Sequence, residues 1–131
     1  MQVRDLALML AGVIGSTVAV VHGVLTQRYM VTPLGRMAGE VRSVSLSVAR
    51  LLPLLLHFST FTWLVGGLTL IAAANWLGRE ARLVTCAFVG ALYLYGVAGN
   101  FWATRGRHPG WMLLAVSVVL IAFSVTHLQA E

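Results

Sequence analysis

Charged residues fall in bunches along this chain, and between the bunches lie four runs that carry none, residues 6–27, 51–77, 83–104 and 109–128. A helix rising 1.5 Å per residue needs about 20 apolar residues to cross a hydrocarbon core of about 30 Å. Every run is long enough. The pattern predicts an all-α fold, a four-transmembrane-helix bundle that occupies 1–131 as a single integral membrane domain. Between helices one and two the pattern changes. Leu34, Met37, Val41, Val44 and Val48 recur at spacings of three and four, while Arg36, Glu40, Arg42, Ser43, Ser47 and Arg50 take the other side. This predicts an interfacial amphipathic helix over 34–50, whose arginines favour anionic headgroups of the lipid bilayer. It runs into helix two near Pro53, either that helix's first-turn proline or its kink.

Within the apolar runs, small and polar residues mark the inward faces. Ala11, Gly15, Ala19 and Gly23 repeat every four residues on helix one, a stripe that lets another helix approach closely, and His22 shares that face. On helix three, Tyr93, Gly96, Asn100 and Thr104 form a polar stripe that lipid penalises, so it should turn inward. In "TRGRHPGW", Gly106 can close one helix, Pro109 can open the next and Trp111 can sit at headgroup level. Trp76 and Trp102 read as further interface anchors, and Trp63 as a residue packed deeper in the bundle.

Composition narrows the function classes. The chain is 59% hydrophobic and 10% charged, against about a quarter charged in soluble proteins. Four crossings leave no soluble domain to hold a water-filled enzyme cleft. Cys86 is the sole cysteine, which excludes an intrachain disulfide and a thiolate-rich metal site. The formal net charge of +5 does not indicate nucleic acid, because the arginines sit at helix ends without interleaved aromatics. They read as topology signals. Arg28, Arg36, Arg42 and Arg50 lie in the first connection, Arg79 and Arg82 in the second, Arg105 and Arg107 in the third, and Arg4 at the start. The Lys/Arg excess of cytoplasmic loops then places the first and third connections in the cytoplasm and both termini outside, as in a bacterial inner membrane. The first run is longer than a signal-peptide core, so it is expected to be retained.

Depth brings candidate chemistry together. His22 is six residues before Arg28 and His57 seven after Arg50, so both sit roughly 9 to 10 Å inside the same boundary. Asn100, five residues before Arg105, reaches nearly that level, and His108 lies in the connection on that side. Two imidazoles on two helices, with Gly23 and Gly96 leaving room for a flat ring, can hold the iron of haem b through His22 and His57. Arg28, Arg50, Arg105 and Arg107 would then meet its propionates. The competing reading keeps both histidines neutral, bonded across helices to Thr60, Asn100, Tyr93 or a carbonyl. Copper is a further option, with Met30 and Met37 as soft ligands.

The stretch "HFSTFTWLVGGL" resembles, at His57, Trp63, Gly66 and Gly67, a helix of copper-resistance D membrane proteins and of HemJ-type protoporphyrinogen oxidases. That resemblance implies a helical bundle with a metal or haem ligand at His57. The whole chain also looks like small, uncharacterised four-helix bacterial membrane proteins. Three functions remain open at this point: a noncatalytic accessory or structural membrane component, alone, as a homo-oligomer or in a larger membrane complex; a b-type haem or redox protein using His22 and His57; and a transporter of small neutral solutes. A proton-coupled cation exchanger is disfavoured, since Asp5, Glu40, Glu80 and Glu131 all lie outside the runs. His127 lies near the opposite surface, too distant in depth to join the other two.

Overall fold

The computed structural model describes residues 2–40 and 45–129, and among these it is helical with no strand. Helix α1 (Val3–Thr26) continues through a π-helical turn (Gln27–Val31) into α2 (Thr32–Glu40). The others are α3 (Leu46–Trp76), α4 (Arg79–Thr104) and α5 (Gly110–Gln129). Four helices are long and apolar enough to cross a membrane, the first of them running from Val3 to Met37. They close a ring in which α1 touches α3 and α5, and α4 touches α3 and α5. The connections from α3 to α4 and from α4 to α5 are short and make those neighbours antiparallel, and α1 and α4 face each other across the middle.

The small-residue stripe packs as its spacing predicts. Ala11, Gly15 and Ala19 are buried, and a β-carbon on Gly12 would collide with the backbone of Gly67 on α3. That contact sets the closest approach of α1 and α3. Tyr93 is fully buried and spans the bundle from α4: its hydroxyl donates to the Trp63 carbonyl on α3 at 3.0 Å. Its ring fills the space where Gly15 of α1 has no side chain. Leu8, Leu70, Leu114 and Cys86 complete the core around it.

The first connection differs from its expected form. Residues 34–50 do not make one helix: the described part divides between α2, which prolongs α1, and the first turns of α3, with Ser45 extended between them as the α3 N-cap, accepting from the Val48 amide. Val41, Arg42, Ser43 and Val44, four positions of the expected amphipathic pattern, lie outside the described residues. Pro53 falls inside α3. It is not in the first turn, and the Ala49 carbonyl therefore has no amide to accept from one turn later. At the far turn, Arg105 and Gly106 both take positive φ (51° and 74°), and the Gly106 amide reaches back to the Phe101 carbonyl at 2.9 Å. The left-handed stop thus begins one residue before the glycine.

Candidate functional site

His22 comes from the last turns of α1 and is half-buried. Its Nε2 lies 3.1 Å from the Ser59 hydroxyl on α3, and its ring stacks at a tilt on Trp63, centroids 4.7 Å apart. His57 hydrogen-bonds the Gln27 side-chain carbonyl oxygen at 2.9 Å. Gln27 opens the π turn, and Thr32 seals that turn by donating to the Gln27 carbonyl at 2.8 Å. The extra residue in each π turn rotates the chain, and here the segment sets Gln27 against His57. Both histidines therefore tie α1 to α3. Their partners are Ser59 and Gln27 instead of the expected Thr60, Asn100 or Tyr93; Thr60 lays its methyl against Gly23, and its buried hydroxyl has no partner.

Asn100 and His108 complete the cluster. The Asn100 amide donates to the Gly96 carbonyl of its own helix at 2.8 Å. The Gly110 amide donates to His108 Nδ1 at 3.1 Å, so in the neutral ring the proton sits on Nε2, which remains a donor. His22, Asn100 and His108 line one cavity of about 310 Å³, together with Trp63 and apolar residues of α1 and α5. His57 is outside that wall. The expected trio is thus divided: His22 and Asn100 meet at the cavity, joined by His108, while His57 belongs to the α1–α3 seam. Arg28, Arg50, Arg105 and Arg107 are exposed, and none lines the cavity.

At the expected haem site the His57 Nε2 donates to the Gln27 amide oxygen, so the neutral ring keeps its lone pair on Nδ1, and the His22 Nε2 is engaged by Ser59. The room expected at the glycines is filled, Gly23 by Thr60 and Gly96 by the Trp63 ring. Among the described residues no group of three or more His, Cys, Asp or Glu side chains could hold a metal ion. Exposed His127 lies against Phe123, centroids 4.3 Å apart.

At the opposite end lies a cluster that the sequence pattern did not reveal. Arg82 donates to the Ala73 and Ala74 carbonyls at the end of α3, each at 3.1 Å, and to Asp5 at 2.7 Å. An arginine nine residues beyond an unsatisfied carbonyl is a weak local signal, and its distance from Asp5 in sequence leaves none. No family model matches the chain, and no curated protein or solved structure matches it.

Proposed function

We propose that this chain is a noncatalytic integral membrane component, a small helical scaffold of a bacterial inner membrane that acts within a larger membrane complex or as a homo-oligomer. One observation carries the reading: His22 and His57, the residues whose placement suggests ligation, both spend their Nε2 atoms on hydrogen bonds between α1 and α3. Interhelical bonds of this kind contribute about 0.6 kcal/mol each on average. They act as bundle glue. Exposed apolar faces on all four long helices supply lipid or partner contacts. The polar side of α2 and the first turns of α3 lie at headgroup level in this reading, with Arg28, Arg36 and Arg50 toward anionic lipid.

An absorption spectrum of gently purified protein from haem-replete cells, oxidised and then dithionite-reduced, tests it. A colourless protein that stays haem-free after attempted reconstitution is expected. A Soret band with sharp reduced-state bands at near-stoichiometric haem would overturn the scaffold reading.

A further inference from the structure

The cavity between α1 and α5 is polar at one end and apolar at the other. His22, Asn100, His108 and Gly110 stand at the end nearest the α4–α5 turn, while Val13, Ile14 and Leu114 line it toward the middle of the bundle. Val13 to His22 spans nine residues of α1, about 13 Å of helix. The mouth is lateral. Val13, Val21 and Leu113 line it and are 51%, 52% and 48% exposed, so in a bilayer it opens toward lipid.

We propose that this cavity binds an isoprenoid quinone or a close relative, a flat ring bearing neutral carbonyl oxygens on an apolar tail. The inference rests on the four helices crossing a membrane and is independent of the scaffold reading. Ligand sites are mostly apolar, with a few placed polar groups, and begin at about 300 Å³. This one has that size and character. The His108 Nε2–H is a donor left over after Nδ1 accepts from Gly110, and Asn100 keeps a second amide proton beyond the one given to Gly96. Both suit a carbonyl oxygen. Trp63 and His22, stacked at a tilt on each other, both line the cavity and give it an aromatic wall. A phospholipid head is matched less well, because no arginine lines the wall. The ring seats near the turn and the tail runs out past Val13 and Val21.

Fluorescence of a variant that retains Trp63 alone, with Trp76, Trp102 and Trp111 replaced by Phe, reads occupancy directly, since quinones quench tryptophan. The probe is decylubiquinone, titrated into the full-length protein in detergent micelles. Saturable quenching is expected, with an apparent Kd raised tenfold or more by Asn100→Leu and by Val21→Phe, which narrows the mouth from an exposed position. Far-ultraviolet circular dichroism verifies that each variant is folded. Quenching that rises without saturation, and equally in both folded variants, would overturn the proposal. So would quenching relieved by added phosphatidylglycerol, which would assign the cavity to phospholipid.

Discussion

Tyr93 is where the bundle has least freedom. Its ring occupies the place of a side chain that Gly15 lacks, and its hydroxyl ends on a carbonyl of a third helix. A methyl at Gly15 must therefore displace the phenol or the α1 backbone. Overpacking of this sort costs roughly 1–3 kcal/mol, so Gly15→Ala should lower stability by that amount in reversible unfolding with mixed detergent and sodium dodecyl sulfate micelles. Gly99 has open space around its would-be β-carbon. There the same substitution should leave stability unchanged within about 0.5 kcal/mol. Equal losses at the two glycines would show that the Tyr93 contact does not govern the effect at Gly15, since helix propensity favours alanine at both. Tyr93→Phe keeps the ring and removes one bond, with an expected loss of about 0.6 to 1.5 kcal/mol by the same measurement. The four-residue repeat made Gly15 legible as a packing residue, and the polar stripe made Tyr93 legible as an inward one. That they meet was not legible, because helix pairing across a ring depends on which neighbours close it.

Element ends show the same division more sharply. The apolar runs marked all four long helices because a bilayer-length stretch without charge is a strong signal. The first connection was harder to read. Three-and-four periodicity is shared by an interfacial helix and by two helix ends that meet at a break, and a π turn sealed by Thr32 and Gln27 leaves no periodic trace. Arg82 was read as a topology charge, yet its guanidinium caps α3 and reaches Asp5, 77 residues away in sequence. Planar donors explain the choice of arginine, since they can meet Ala73, Ala74 and Asp5 together, which a lysine ammonium does poorly. Arg82→Lys should therefore destabilise the protein by about 1–3 kcal/mol, the range for leaving buried acceptors unsatisfied. A lysine variant with wild-type stability would show that charge alone suffices. Arg105 offers a gain instead. It sits at φ 51°, a conformation that glycine adopts without a β-carbon penalty, and Arg105→Gly should raise stability by about 0.5 to 1 kcal/mol in the same unfolding assay.

For the molecule as a whole, the remaining question is which end meets the cytoplasm, and the Arg82 contact shows which arginines share an end. The Asp5 contact puts the start of α1 beside the α3–α4 turn. Arg4, Arg79 and Arg82 thus share one end. Arg28, Arg36, Arg50, Arg105 and Arg107 belong to the other. The second end carries more arginines, counted without regard to their pairing, so it should be the end retained in the cytoplasm. Single cysteines test this in a Cys86→Ala background without altering any charge. Ser45 and Gly78 are exposed at opposite ends. In intact cells a membrane-impermeant maleimide should label the Gly78→Cys variant, and the Ser45→Cys variant should react only once the membrane is opened. The reverse pattern would invert the orientation and carry the three histidines with it, since His22, His57 and His108 all lie toward the Ser45 end. With all four long helices crossing, residues 2 and 129 would lie on the same side as Gly78, so the Gly78 result would locate them too.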